Sequence, residues 1–245
     1  GGLVINNKPA ATTGDAEKNA VAVTGGTVAN VYGAQVRTKA GSASENTAKI
    51  SGGTVSHVYG ASLTAAGATG SVTKSRVDVT GGAVTGDVYG GQIVDTGATG
   101  SVTESRVDIT GGSVGGNIYG GRTNGSGDAK DNTVNITGGT LHDVYGGFAQ
   151  AGKATGNTVN LGTATNAVAA GTSVGTIWGG NSSASGNTLN VNSRQANAAD
   201  VKNFENVNFD ASHNVSHGDT LLRLTNGANT SIDWSKMKLK NLDAV

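Results

Sequence analysis

Two aspartates occupy the same place in two nearly identical segments of the chain. Asp78 and Asp108 each follow an arginine by two residues, Arg76 and Arg106. Paired carboxylates can serve as acid and base in glycoside cleavage. An apolar–polar–apolar strand would, however, hold these side chains on its exposed face, where they form a solvated charge ladder. No single place in the sequence clusters carboxylates and basic residues in a break of the repeat, so no catalytic residue is predicted.

The histidines offer little metal chemistry. His213 and His217 form His-x-x-x-His, a spacing that can hold a metal ion when it lies on a helix. No glutamate follows the first histidine, and asparagine, serine and glycine surround the pair, so we expect solvated loop residues and predict neither a metal site nor a cofactor. His57 shares its place in the repeat with polar residues typical of a turn-capping position, namely Asn30, Asp87, Asn117 and Asp143.

Composition excludes several function classes. The 17 basic and 17 acidic residues balance, and without a basic block there is no electrostatic footprint for nucleic acid. The chain has no cysteine, which removes disulfides, thiolate nucleophiles and cysteine zinc sites. The apolar runs are too short to span a bilayer, so no direct membrane insertion is predicted for this segment.

An aromatic residue recurs once per repeat, between valine or isoleucine and glycine. Repetition at this spacing would align the rings, and stacked rings stabilise a fold by about 0.5–1.5 kcal/mol per pair beyond burial. If the neighbouring valine points inward, alternation turns the ring outward unless a corner breaks the parity. Structural stacking and an exposed strip that binds sugar rings or a partner both remain open. The candidate strip is Tyr32, Tyr59, Tyr89, Tyr119, Tyr145 and Trp178.

The repeat that carries these residues predicts the architecture. Seven apolar–polar–apolar strands, from Val21–Val23 to Leu189–Val191, begin 25 to 30 residues apart, and a Gly-Gly pair precedes five of the six aromatic residues. This period is too short for a propeller blade and suits one coil of a parallel solenoid. We therefore predict an all-β, parallel β-solenoid, a right-handed β-helix by the usual crossover hand, with about seven regular coils followed by irregular C-terminal coils.

A small polar residue stands two positions before each inward valine, and the same parity turns it inward. Stacked amides can bond one another and the turn backbone, so this row is predicted to be a structural ladder. Its members are Asn19, Asn46, Ser75, Ser105, Asn132, Asn157 and Asn187. The paired glycines are expected to supply corner angles with positive φ.

The pattern divides the chain into a repetitive solenoid, 1–192, and a less regular C-terminal extension or cap, 193–245. Because no comparable cap is evident at the N-terminus, we expect the chain to be a fragment of a longer protein. The loops at 41–44, 64–71, 95–101, 124–130 and 166–172 are further candidate contact sites, since function gathers on loops carried by rigid scaffolds.

These motifs together resemble a known family. The Thr-Gly-Gly and Val-Tyr-Gly-Gly repeats, the Asn-Thr-Val-Asn-Ile strand and the stretches Asn203–Phe209 and Gly218–Leu222 are similar to the passenger region of Gram-negative autotransporter (type V secretion) adhesins. The resemblance implies secretion, display at the bacterial cell surface with an outer-membrane anchor in the parent protein, and a role in cell adhesion, aggregation and virulence. Its implied partners are a glycan or protein of a host or bacterial surface, or another copy of the chain.

Two other functions fit the same fold. Parallel β-helices also host carbohydrate-active enzymes, both lyases and hydrolases, and phage-type fibres or spikes use similar solenoids. Fold alone does not choose among them. An adhesin or scaffold module without enzymatic activity is the function favoured by the sequence.

Overall fold

The structure, a computed structural model, describes residues 4–6, 14–183, 185–193, 195–211, 216–227, 230 and 232–240. Strands and tight turns account for most of these residues, and a short 3-10 helix covers Trp234–Lys236. In chain order the strands are β1 Val4–Asn6, β2 Ala16–Glu17, β3 Ala20–Val36, β4 Ala43–Ser44, β5 Thr47–Leu63, β6 Val72–Thr73, β7 Arg76–Val79, β8 Ala83–Val84, β9 Val88–Ile93, β10 Val102–Thr103, β11 Arg106–Ile109, β12 Ser113–Val114, β13 Ile118–Thr123, β14 Ala129–Lys130, β15 Thr133–Ile136, β16 Thr140–Leu141, β17 Val144–Ala149, β18 Ala154–Thr155, β19 Thr158–Leu161, β20 Val174–Gly180, β21 Thr188–Val191, β22 Ala196–Lys202, β23 Asn206–Asp210, β24 Leu222–Leu224 and β25 Met237–Lys240.

The strands stack in parallel, coil upon coil, with equivalent repeat positions directly paired. The first face of the coil is the ladder from β3 and β5 through β7, β11, β15, β19, β21 and β23 to β25. The third face ends each coil with β9, β13, β17, β20, β22 and β24. A short second face (β8, β12, β16) links these two, and the small sheet of β2, β4, β6, β10, β14 and β18 closes the coil. The predicted all-β parallel solenoid is confirmed, with about eight turns.

The Gly-Gly pairs lie at the corner between the first two faces, and the predicted positive φ is confirmed for only one glycine of each pair. The second glycine has a positive φ, as at Gly53 (82°) and Gly82 (80°), where a side chain would be strained. The first glycine of a pair does not; instead a Cβ on Gly52 would lie 2.5 Å from the carbonyl oxygen of Thr24 in the preceding coil. One glycine thus sets the turn and the other permits close stacking.

A second corner uses ordinary residues in the left-handed region. Lys18, Glu45, Lys74, Glu104 and Asp131 have φ between 51° and 57° and stand directly before the ladder residue of their coils. Gly156 and Gly186 take this place in later coils. The sequence pattern did not indicate this turn, because lysine and glutamate carry no preference for such angles.

The core is a thin column of β-branched side chains. Its largest cluster lines up one or two residues per face in each coil, for example Val107, Ile109, Val114 and Ile118, all with less than 5% of their surface exposed. A smaller cluster, which includes Val36, Leu63 and Val72, lies at the opposite side of the coil. Valine and isoleucine suit this narrow space because they pack flat on a pleated sheet.

The predicted polar ladder is buried and hydrogen-bonded. Its members, Asn19, Asn46, Ser75, Ser105, Asn132, Asn157 and Asn187, are at most 6% exposed. Asn132 Oδ1 accepts the backbone N–H of Ser105 at 2.9 Å, while its Nδ2 donates to Asn157 Oδ1 at 3.0 Å. Asn157 repeats this pattern with Asn187. Each amide therefore links its own coil to the next, as expected for a buried polar row that must be satisfied.

Both ends of the solenoid carry strand structure. The expectation of an uncapped N-terminal end is wrong, because β1 pairs antiparallel with Val21–Val23 of the first coil. Beyond residue 193 the parallel ladders continue in register, with Val207 beside Leu189 and Met237 beside Val207. The C-terminal segment thus extends the solenoid through further coils.

Candidate binding surfaces

The six aromatic residues of the repeat form one continuous stack on the third face, called here the aromatic row. Consecutive ring centroids lie 4.5 Å apart for Tyr32 and Tyr59, 4.9 Å for Tyr59 and Tyr89, and 5.2 Å for Tyr89 and Tyr119. The row continues through Tyr145 at 5.0 Å to Trp178 at 5.7 Å. All these planes are within 16° of parallel, because parallel in-register strands repeat the same side-chain direction every coil.

Exposure varies along the row, so the two predicted roles divide between its members. Tyr89 and Tyr119 are only 4% and 5% exposed, whereas Tyr32, Tyr59 and Tyr145 are partly exposed. Trp178 is partly exposed as well. The centre of the row is therefore structural, and its flanks offer ring surface to solvent.

The cover over the centre comes from the next outward position of the strand. The Arg122 guanidinium lies over Tyr119 at 5.1 Å and over Tyr89 at 5.9 Å, and it also donates to the Tyr89 hydroxyl at 3.4 Å. Phe148 meets Tyr119 and Tyr145 edge to face at 6.0 Å. Equivalent positions in earlier coils hold smaller or uncharged side chains, such as Ser62. Because this position varies between coils, so does the exposure of the row.

Stacking changes the acidity of the tyrosines. Burial, reinforced by Tyr32 and Asp87, raises the pKa of Tyr59 to about 12. Burial, with Tyr119 and Asp143, likewise raises the pKa of Tyr145 to about 12. The pKa values of Tyr89 and Tyr119 are also raised by burial. Burial therefore favours the neutral phenol at these four tyrosines.

A turn-capping row runs beside the aromatic row, as the sequence predicted for His57 and its equivalents. His57 Nδ1 accepts the backbone N–H of Asp87 at 2.9 Å, and Asp87 Oδ1 accepts that of Asn117 at 2.7 Å. The other Asp87 oxygen accepts the Tyr89 hydroxyl at 2.7 Å. The caps therefore hold both the turn and a ring of the aromatic row.

On the first face, Asp78 and Asp108 are less exposed than predicted. Asp108 is only 7% exposed; it accepts hydrogen bonds from Arg106 Nε at 2.8 Å and Asn135 Nδ2 at 2.6 Å, and it forms an ion pair with Arg76 Nη2 at 2.9 Å. Burial raises the pKa of the Asp78 carboxyl, although its bond to Arg76 Nε acts in the opposite direction. The expected solvated charge ladder is instead a partly buried network. Beside it, Lys74 and Glu104 form an exposed ion pair at 3.8 Å.

Asp108 also begins an amide row. Asn160 Nδ2 donates to Asn135 Oδ1 at 2.6 Å, and Asn190 Nδ2 donates to Asn160 Oδ1 at 2.7 Å. Asn208 adds a further link to Asn190 at 2.8 Å. Every donor points toward Asp108, so the row ends on its negative charge.

A groove of about 310 Å³ lies beside this network, called here the arginine groove. Its floor comes from the first face and its rim from the longer connection after β19. The lining residues are Arg76, Arg106, Asp108, Ile109, Thr110, Asn135, Thr137, Thr163, Thr165 and Asn166. The groove brings Arg76, Arg106 and Asp108 together at a break of the repeat, and Asp108 is the one carboxylate among its lining residues. Two sequence signals pointed here: Arg-Val-Asp occurs in only two coils, and the connection 162–175 lacks the Gly-Gly pair.

His213 lies outside the described residues, so the His213–His217 spacing has no structural counterpart, and His217 is exposed. The described part of the chain contains no cluster of three or more histidine, aspartate or glutamate side chains able to hold a metal ion. It also contains no helix long and apolar enough to cross a membrane.

No family model, curated protein or solved structure matches this chain.

Proposed function

We propose that this chain is an adhesin or scaffold module displayed outside a bacterial cell, as part of an autotransporter-like protein. In this role it attaches the cell to a glycan or protein of a host or bacterial surface, or to a second copy of itself. The observation that carries the proposal is the aromatic row, an unbroken stack with partly exposed flanks on a solenoid face.

Several properties support a surface-attachment role. Parallel coils make a rod of roughly 38 Å at about 4.8 Å per coil. Equivalent positions of successive coils stack directly above one another along the rod. The rings cover one another's faces, so the flanks present ring edges and phenol hydroxyls to a partner, and aromatic residues are enriched at the centres of protein interfaces. Binding by many weak, evenly spaced contacts suits an extended partner.

The test is binding of the labelled protein to epithelial cells, with and without glycosidase treatment of those cells. Saturable binding that is lost after treatment supports a glycan ligand, and saturable binding that survives supports a protein ligand. Sedimentation of the same samples measures self-association. Absence of both cell binding and self-association would contradict the proposal.

Variants locate the binding surface. Tyr32→Ser with Tyr145→Ser removes partly exposed rings from both flanks and is expected to weaken cell binding about tenfold or more, since each aromatic contact contributes about 1 kcal/mol. Ser113→Ala, at an exposed position of β12 on the second face, is the matched control and should bind as the parent does. Equal binding by both variants would exclude the aromatic row as the contact surface.

A further inference from the structure

The arginine groove combines charge and hydroxyl-binding groups that the fold itself does not require. Other coils place threonine and asparagine where Arg76, Arg106 and Asp108 stand, as in Thr133 and Asn135, and they stack equally well. The two arginines are therefore a local departure from the repeat. They lie where the long connection raises a rim above the first face.

Asp78 and Asp108 hold the two guanidinium groups in place but do not engage all of their N–H donors. Arg106 donates from Nε to both oxygens of Asp108, and within the described part of the chain its two Nη atoms donate no hydrogen bond. Arg76 donates from Nε to Asp78, and its Nη2 forms an ion pair with Asp108 at 2.9 Å. The two side chains are 46% and 50% exposed, so their outer edges face the groove and solvent.

Asp108 acts as a positioning residue in this arrangement. It is almost fully buried, accepts hydrogen bonds from Arg106 and Asn135 and pairs with Arg76, which leaves it little capacity to accept from a ligand. The lining thus presents two guanidinium groups against one saturated carboxylate. A forked guanidinium edge matches the two oxygens of a carboxylate, and it does so better than a lysine ammonium would.

The remaining lining suits sugar hydroxyls. Thr110, Thr165 and Asn166 are exposed and carry hydroxyl or amide groups at the groove edge. Such groups both donate and accept hydrogen bonds, as a sugar ring requires. The groove volume of about 310 Å³ is at the lower end of the range for small-molecule sites, and it admits one or two sugar units.

We propose that the arginine groove binds an acidic saccharide unit, with the sugar carboxylate on the Arg106 and Arg76 guanidinium edges and its hydroxyls on the threonine and asparagine rim. This deepens the proposed attachment function and rests on it, because it names a glycan class. It also assigns that class to a face of the solenoid other than the one that carries the aromatic row.

The test is a titration of the whole chain with free saccharides, followed by saturation-transfer NMR and calorimetry. The probes are glucuronic acid and N-acetylneuraminic acid, with glucose as the neutral probe. We expect both acids to bind at least tenfold more tightly than glucose. Arg106→Gln should weaken acid binding about tenfold, because it removes the charged fork.

Two further variants separate binding from folding. Thr165→Trp fills the groove from an exposed rim position and replaces no residue of the Arg76–Asp108–Arg106 network, so it should abolish acid binding with an unchanged melting temperature. Arg37→Gln removes an exposed arginine whose partner is Gln35, outside the groove, and should leave binding unchanged. Equal affinity for acids and glucose, or full binding by Thr165→Trp, would overturn the proposal.

The titration also separates this proposal from the proposed function. The change in acid binding caused by Arg106→Gln and Thr165→Trp reports on the groove alone, whereas cell binding by the aromatic-row variants reports on the third face. If the acids fail to bind while the chain still attaches to cells, the groove proposal fails and the attachment function stands. If the acids bind but the chain neither attaches to cells nor self-associates, the attachment function fails.

Discussion

Individual polar residues in this solenoid act by closing the turns between coils. His57 shows this clearly, because its Nδ1 accepts a backbone N–H from the next coil and so serves as a cap. The sequence predicted the capping role from the residues that share its place. The direction of the bond, from the later coil to the earlier, is visible only in the structure.

Replacement of His57 tests this cap. We expect His57→Ala to lower the free energy of unfolding by about 1 kcal/mol or more, since it leaves the Asp87 N–H without its acceptor. His57→Asn should retain most of the stability, because Asn30 already occupies the paired position in the preceding coil. Urea unfolding of the three proteins measures the difference. Equal losses for both variants would contradict a capping role.

Whole rows of side chains, one from each coil, determine how neighbouring strands are held together. The ladder of Asn19, Asn46, Ser75, Ser105, Asn132, Asn157 and Asn187 is buried, so its amides must find partners within the protein. They find them in the next coil, and the ladder thereby fixes the register between strands.

Removal of one amide of the ladder should lower the stability of the fold. We expect Asn132→Ala to lower the free energy of unfolding by about 2–3 kcal/mol, because the Ser105 N–H and Asn157 Oδ1 both lose a buried partner. Asn226→Ala, at an exposed amide, should change it by less than about 0.5 kcal/mol. Denaturant unfolding compares them. A loss at Asn132 no larger than at Asn226 would mean that the ladder contributes little.

The aromatic row makes the fold sensitive to alkaline pH. The pKa of Tyr59 and Tyr145 is about 12 in the folded chain, compared with about 10 when unfolded. A raised pKa favours the neutral phenol, so this stabilisation is complete below pH 10 and is lost as the pH rises from about 10 to 12. We therefore expect the free energy of unfolding to fall over that interval.

The five tyrosines of the chain all belong to the row, so tyrosinate absorbance reports on it alone. A titration followed by absorbance and circular dichroism should show these two residues ionising above pH 10, with loss of strand signal toward pH 12. Ionisation of all five near pH 10 with unchanged strand signal would contradict the stacking argument.

At the scale of the whole molecule, stability depends on neighbouring coils. Each coil contacts only the coil before and the coil after it, so the terminal coils have fewer contacts. The C-terminal strands β24 and β25 also pack less tightly, with Leu239 53% exposed. In contrast, the inward residues of β11 and β15 are fully buried.

Hydrogen exchange should therefore be uneven along the rod. We expect amides of Leu222–Leu224 and Met237–Lys240 to exchange at least tenfold faster than those of Val107–Ile109 and Val134–Ile136. Mass spectrometry after timed exchange measures both pairs of segments in one sample, with the central strands as internal reference. Uniform protection would indicate that the rod unfolds as a single unit, without fraying at this end.

The sequence by itself determined the coil and everything that repeats with it. Parallel stacking at one coil per 25 to 30 residues places like beside like, so Tyr119 beside Tyr145 and Val107 beside Val134 follow directly from the repeat. The buried ladder and the turn caps followed for the same reason.

Only the tertiary structure decided the contacts between residues that hold different positions in the repeat. Tyr89 is buried because Arg122 of the following coil covers it, and no periodicity encodes that contact. The arginine groove joins Arg76 to Asn166, ninety residues later in the chain. Such contacts arise where the repeat is broken, and there the outcome depends on how a particular side chain or loop packs on the face beneath it.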